Sequence, residues 1–308
     1  EFFLNLILVF LVSPQTLHET ILLYFKLSFP TISRKSDFLS KMKIKVVWIH
    51  SHFLYPTGGT KFILEVTKRL AKKLNLLILV EKGNLQVLAN FKKAGVKVTT
   101  FGFLTSNNPL YWIFLPIFLF FELAKVKNLA KDANVMVSSM FPMNYLANHL
   151  GKPHIQYCFE PFAFFYDEDF IKGFSLAKRI FIKFLKFLYS NFEKDETRKA
   201  DKILTLNDVT AYWVKKVYKR DAVTTQGGVD TKFFKKIDNT SLSQRYKNQK
   251  LAIHSTDYSP VKGTDLVIQA FARVVKKVPA AKLLITTTIE DRKAQAKLTE
   301  LAKNLGVG

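Results

Sequence analysis

Two short loops in this 308-residue chain combine residue types suited to an anionic ligand. The first is Tyr55-Pro56-Thr57-Gly58-Gly59-Thr60, between a β-branched apolar run and a helical pattern. Glycine there lets the backbone approach a phosphate closely, and free amides at a helix N-terminus carry partial positive charge. A tight strand-to-helix turn that binds nothing reads the same way, and no third glycine completes a dinucleotide fingerprint. The second loop is Tyr258-Ser259-Pro260-Val261-Lys262-Gly263-Thr264-Asp265, whose lysine can reach a diphosphate or simply face solvent. Other chemistry-bearing groups are weaker. Asp167-Glu168-Asp169 has the spacing of a carboxylate pair that holds a metal, but it precedes a long helix instead of following a strand. His50-Ser51-His52 has no further ligands placed by sequence, so no metal and no cofactor is expected. The single cysteine, Cys158, excludes an intrachain disulfide and a multi-cysteine zinc site and fits a reducing cytoplasm.

These loops need strands and helices to position them, and the pattern from Lys43 onward supplies both. Strands are predicted at 44–50, 76–80, 96–101, 135–139, 154–158, 202–206 and 222–225, with amphipathic stretches between most of them. That alternation implies crossover helices and a parallel sheet. In the helix after Gly59, Phe62, Val66, Leu70 and Leu74 recur every fourth residue and predict the core face. A polar, lysine-rich stretch at 236–250 reads as a linker. A second βαβα run follows at 251–308, and two strands alone would leave an open edge, so this domain is expected to be incomplete. Residues 42–235 then form an N-terminal Rossmann-like domain. Residues 1–41 stand apart: the chain begins with Glu1, and the apolar run Phe2–Val12 lacks a basic lead and is shorter than the ~20 residues of a spanning helix. Met42 reads as a natural start, which makes 1–41 an upstream or dispensable extension, with a membrane-contacting arm as the alternative.

A net charge of +23 calls for a polyanionic partner, and 29 phenylalanines lean toward apolar ligands or lipid. No base-reading or strand-stacking module is visible, which argues against nucleic acid. A helix predicted from Lys172 to about Asn191 places Lys172, Ser175, Arg179, Lys183, Lys186 and Ser190 on one stripe, flanked by a wide apolar arc. This profile suits an anionic bilayer interface, and also a buried interdomain helix with a solvated edge. The segment 109–124, with Trp112 and Phe118, is apolar nearly all round, too short to span, and reads as a leaflet-dipping element or a core helix.

Further motifs are Ala200-Asp201-Lys202-Ile203-Leu204-Thr205-Leu206-Asn207, Gly228-Val229-Asp230-Thr231-Lys232-Phe233, and Lys262-Gly263-Thr264-Asp265-Leu266-Val267-Ile268-Gln269-Ala270-Phe271, followed by Pro279-Ala280-Ala281-Lys282-Leu283-Leu284-Ile285. With the Gly58-Gly59 loop, their order and spacing make the chain from Met42 to its end resemble glycosyltransferase family 4. The resemblance implies an α/β GT-B fold of two Rossmann-like domains, their glycine and lysine loops facing a shared cleft. It also implies retaining transfer from a nucleotide-diphosphate sugar, expected to be a UDP- or GDP-sugar used without a metal; the two membrane-suited segments and the charge add the expectation of a lipid-linked saccharide or surface-polymer precursor as acceptor, at the cytoplasmic face of a membrane. Gly58, Gly59 and Lys262 match the donor-binding positions, Thr60 and Gly263 are taken with them as donor-binding candidates in the same two loops, and Glu160 reads either as an acceptor contact or as a surface carboxylate. Thr256-Asp257 stands where the family usually has Gly-Arg, and Asp257 would repel a diphosphate. Phe159 stands where a histidine is common and cannot hydrogen-bond a hydroxyl. The family's glutamate pair would come after Gly308, so the chain as given is expected to be inactive. A degenerate relative serving as a membrane-binding or assembly module is the alternative.

Overall fold

The computed structural model describes residues 44–106, 108–235, 244–259, 262–287 and 291–308. The expected extension at 1–41, Met42, and residues 236–243 of the expected linker lie outside the described residues. The seven β-branched runs of the first domain become β1 (Lys45–Phe53), β2 (Asn75–Gly83), β3 (Lys97–Thr100), β4 (Val135–Ser138), β5 (His154–Cys158), β6 (Lys202–Thr205) and β7 (Val223–Thr224). All pair in parallel, in the order β3-β2-β1-β4-β5-β6-β7. A parallel sheet is covered on both faces, and for that reason its inner strands read as unbroken apolar runs. Side chains alternate between the faces. Val47, Ile49, Leu77 and Leu79 enter one core with Tyr111, Trp112, Leu115 and Leu119, whereas Val46, Trp48, Leu76, Ile78 and Val80 enter the other with Ile63 and Phe91.

The helices that follow in chain order are α1 (Gly58–Leu70), α2 (Leu85–Lys93), α3 (Pro109–Ile113), α4 (Leu115–Leu129), α5 (Met143–Asn148), α6 (Ala163–Tyr166), α7 (Glu168–Lys172), α8 (Leu176–Lys199) and α9 (Asp208–Tyr218), of which α7 and the first turn of α8 group with the second unit described below. Helix α1 is rotated from the expected face: Thr60, Ile63 and Thr67 are buried, and Phe62, Val66 and Leu70 flank them half-buried. The rotation is possible because Thr67 satisfies its hydroxyl on the Ile63 carbonyl at 2.6 Å, so a threonine can occupy the core stripe. The helix expected from Lys172 is two helices. Gly173 and Ser175 lie in the break, and both residue types are poor at sustaining a helix.

Polar groups buried beneath β4 and β5 are joined into a network. The Glu193 carboxylate on α8 accepts from Tyr166 Oη and Tyr218 Oη, both at 2.6 Å, and from Thr197 Oγ1 at 3.3 Å. Asn144 Nδ2 on α5 donates to Thr197 Oγ1 at 3.1 Å and to Gln156 Oε1 on β5 at 3.3 Å. His154 Nδ1 donates to Asn148 Oδ1 at 2.6 Å, which leaves Nε2 to accept from Ser138 Oγ at 2.8 Å. Asn148 Nδ2 in turn donates to Glu196 Oε2 at 2.8 Å. Helix α8 is thus fastened to α5, β4 and β5 by hydrogen bonds as well as by packing.

A second compact unit, comprising Glu168–Arg179 and Gly228–Gly308, contains β8 (Lys250–Thr256), α10 (Thr264–Lys277), β9 (Ala281–Thr287) and α11 (Arg292–Asn304). Strands β8 and β9 pair in parallel, and Leu251 and Ile253 of β8 remain exposed. Among the described residues no helix is long and apolar enough to cross a membrane.

The Glu193 network yields a stability prediction. Tyr218→Phe removes one hydroxyl donor from a buried carboxylate and is expected to cost about 2 kcal/mol in urea unfolding. A cost under about 0.5 kcal/mol would mean that Tyr166 and Thr197 suffice.

Candidate functional site

Strand order reverses between β1 and β4, the place at the carboxyl edge of an open parallel sheet where ligands bind. The loop after β1 carries the glycines. Thr57 caps α1, its Oγ1 accepting from the Thr60 amide at 3.2 Å, and Thr60 Oγ1 donates to the Tyr55 carbonyl at 3.1 Å. Both polar groups of Thr60 are therefore engaged inside the loop and the residue is buried, so in this structure it holds the loop's shape. The amides of Gly58 and Gly59 have no partner among the described residues, as expected for a first helical turn. The fold itself demands glycine at neither position. A Cβ on Gly58 would meet nothing within 4 Å, and one on Gly59 only Thr57 Oγ1 at 3.9 Å.

Neighbouring loops frame this one. Ser51 Oγ, at the end of β1, donates to Met140 Sδ after β4 at 3.1 Å, and Trp48 Nε1 donates to Ser139 Oγ at 2.6 Å. After β5, the Phe159 ring meets the edge of Phe62 on α1 at 5.5 Å between centroids and lies 5.1 Å from Tyr157, while its carbonyl accepts from Thr210 Oγ1. Phe159 thus does apolar packing where a histidine was expected by resemblance. Glu160 is exposed beside it. Partial desolvation and then the Asp167 charge raise its carboxyl above the usual range. His50 at the end of β1 is held neutral, its value pushed down to about 3 by burial and secondarily by His52.

In the second unit, the loop after β8 is closed by its own polar groups. Asp257 Oδ1 accepts from the Ser259 amide at 2.9 Å and from the Ser259 hydroxyl. Burial works to raise the Asp257 carboxyl, but the Ser259 bonds and the Lys262 charge outweigh it and hold the group below its usual value. Asp257 is thus engaged within its loop. Lys262 is exposed, and its amide donates to the Ser259 carbonyl at 3.0 Å. Gly263 sits at φ +57° as the N-cap of α10, a left-handed position that favours glycine. Pro260 and Val261 lie outside the described residues.

The expected membrane contacts divide. Trp112 is 7% exposed, with Nε1 donating to the Ser106 carbonyl at 2.7 Å, and Phe118 is half-buried and stacked on Tyr111. Both are corrected: they face the core, because α3 and α4 pack on the sheet through Tyr111, Trp112, Leu115 and Leu119. The outward residues of this segment are Leu110, Ile113, Phe114, Ile117, Phe120 and Phe121, with Phe120 72% exposed. On α8, Lys183 and Lys186 are exposed beside Ile180, Phe184, Phe187 and Leu188, and Arg179 is half-buried. Lys172 is corrected as part of that stripe, since it lies on α7 and pairs with Asp169 at 2.7 Å.

Several buried acids escaped the sequence reading. Glu81, Glu122, Glu193 and Glu196 occupy core positions of their elements. The signal was an acid at an apolar beat, as in Leu77-x-Leu79-x-Glu81 on β2.

The architecture has counterparts among solved structures. Anabaena HepE in complex with UDP-glucose aligns with a TM-score of 0.63 at 14% identity, over 86% of this chain and 66% of that one. A glycosyltransferase from Rickettsia africae gives 0.59 at 13%, over 86% and 66%. WaaG, described as a glycosyltransferase involved in lipopolysaccharide biosynthesis, gives 0.56 at 18%, over 85% and 67%. The chain spans about two thirds of the length of these structures. No family model and no curated protein matches the sequence. At such identities the likeness establishes the fold, an α/β architecture of GT-B type.

The two glycine loops respond differently to a methyl group. Gly58→Ala is expected to change stability by less than about 0.5 kcal/mol, whereas Gly263→Ala, at a left-handed position, costs about 1–2 kcal/mol. Urea midpoints read both. An equal loss at Gly58 would make that glycine a structural requirement.

Proposed function

We propose that the protein is a nucleotide-sugar glycosyltransferase of the retaining type, acting on a lipid-linked saccharide or related surface-polymer precursor at the cytoplasmic side of a membrane. The observation that carries this reading is the GT-B-type fold, aligned over 86% of the chain with HepE holding UDP-glucose, together with the glycine loop at the sheet's switch point. The HepE complexes favour uridine as the donor base.

In this reading the Gly58 and Gly59 amides serve the donor phosphates and Lys262 neutralises the diphosphate, with Gly263 setting the turn that presents it. Charge grows on the diphosphate as the sugar departs, so fixed donors and a cation aimed there supply the largest protein contribution. Retention follows if the leaving phosphate takes the proton of the attacking hydroxyl, with Glu160 near the acceptor. Asp257, closed onto Ser259, costs less repulsion than a free carboxylate would, but it adds no cation. Transfer of this kind requires no metal and no further cofactor.

Membrane association is supported by two outward surfaces. One is the apolar row Phe114, Ile117, Phe120 and Phe121; the other is α8, with Lys183 and Lys186 among Phe184, Phe187 and Leu188. An apolar row buried at the headgroup boundary, with lysines toward anionic lipid, is the arrangement of an interfacial element.

Calorimetric titration of UDP and GDP without metal tests the donor site. Micromolar UDP binding that weakens at least about tenfold in Lys262→Ala is expected, the scale of one lost charge-assisted contact. Binding of neither nucleotide would overturn the enzyme reading and favour a degenerate membrane-binding module, the alternative that Phe159 and Asp257 keep in play. Sedimentation with phosphatidylglycerol vesicles tests the surface separately. Binding is expected for the wild type and lost in Phe114→Ser/Phe120→Ser/Phe121→Ser, whose sites are exposed; an unbound wild type removes the membrane from the proposal.

A further inference from the structure

Two carboxylates occupy core positions beneath α3 and α4. Glu81 is the next residue on the β2 face already occupied by Leu77 and Leu79, and Glu122 falls in the buried stripe Leu115, Leu119, Glu122 and Val126 of α4. Both are fully buried, as is Tyr111 on α3. None of the four carboxylate oxygens, nor the Tyr111 hydroxyl, completes a hydrogen bond of good geometry, although the Tyr111 hydroxyl lies near enough to Glu81, and the Phe103 backbone near enough to Glu122, to pull those carboxyls partly back toward their ordinary values. The chain at 101–103 presses against them. A Cβ on Gly102 would come within 2.6 Å of Glu81 Cβ, so only glycine fits there.

The surroundings supply little compensation. Among the described residues the cation that acts on the cluster is Lys125 on α4, whose Nζ is committed to the Phe101 carbonyl at 3.2 Å and lies 3.6 Å from the centre of the Phe103 ring. From β1, the residue opposite Glu81 is Ser51, which does not titrate and donates to Met140. The 101–103 chain brings no charged side chain. Burying even one unpaired carboxylate is costly, and burying two side by side more so. A protonated carboxyl, in contrast, both donates and accepts, so it can satisfy its neighbour or Tyr111.

We infer that Glu81, Tyr111 and Glu122 form a proton-dependent seat that holds α3 and α4 on the sheet when the carboxyls are neutral and loosens them when one ionises. Burial raises Glu122 to about 7 and holds Glu81 well above the ordinary 4.5. The seated form therefore keeps protons that an opened form releases. Its advantage is full below about pH 4.5 and is lost as pH rises through 7, by up to tenfold in the opening equilibrium per pH unit and carboxyl. This slope opposes that of His50 and His154, which are buried neutral and favour the folded chain as pH rises from about 3 toward 6.5. Since α3 and α4 also carry Phe114, Ile117, Phe120 and Phe121 outward, the seat would set how firmly that surface is presented. That consequence alone rests on the membrane reading.

Hydrogen exchange of peptides covering 109–129, without lipid or nucleotide and corrected for intrinsic chemistry, tests the seat between pH 5 and 8. Opening is expected to rise at least about tenfold from pH 5 to 7 in the wild type. The slope should vanish in Glu81→Gln/Glu122→Gln and be reduced in Glu122→Gln, while peptides over β4 keep their protection. A flat wild-type profile overturns the proposal, as does an unchanged slope in Glu122→Gln, and neither outcome bears on nucleotide binding.

Discussion

Parallel pairing is the constraint from which the rest of this structure follows. With β1 lying between β2 and β4, all seven strands end at one edge, and every strand-to-helix loop opens there. The same pairing requires a crossover after each strand, so helices cover both faces and the inner strands become buried on both sides. It also creates a reversal of strand order beside β1. That reversal is why a short Gly-Gly turn, uninformative as a string, acquires meaning from its place.

The strands were legible because burial on both faces writes itself as an unbroken apolar run, and the α/β class followed from their alternation with helices, whereas the GT-B architecture came from the family resemblance of the motifs. What escaped was orientation. Helical periodicity identifies a stripe but not which of two adjacent stripes faces the core: in α1 the threonines won, since Thr67 bonds to its own helix. In α3 and α4 the sequence is apolar almost all round, so nothing in it distinguished Trp112, which is buried, from Phe114, which is exposed. The run from Lys172 counted as one helix because its charges kept helical spacing across Gly173, yet regular spacing does not supply a backbone willing to continue. At the candidate site, the glycines and Lys262 stood out by type. That Thr60 is consumed by its own loop, and Asp257 by Ser259, depends on geometry that no spacing encodes.

The buried acids show how the molecule treats polar groups at apolar positions. Glu193 is given three hydroxyl donors, and those bonds oppose the rise that burial imposes on its carboxyl. Because Tyr218 also receives the Phe162 amide, the chain that leaves β5 toward Glu160 is tied to the same carboxylate. The network therefore acts on the candidate site through the backbone of its loop, with no direct contact needed.

Glu81 and Glu122 complete no hydrogen bond of that quality; their nearest donors, the Tyr111 hydroxyl and the Phe103 backbone, only partly oppose the rise that burial imposes. Replacing either with leucine would look like an improvement in packing, since unsatisfied buried carboxyls stabilise less than an apolar group of similar volume. A carboxyl at an apolar beat that completes no hydrogen bond of good geometry is explained only by what a carboxyl can do and a leucine cannot, which is to exchange a proton. Helices α3 and α4 sit where that exchange is felt, between the sheet beneath and the exposed phenylalanines above. The two acid clusters are thus opposite solutions on one scaffold: Glu193 is fixed by donors and holds a loop in place, and Glu81 with Glu122 is left to titrate beneath a surface.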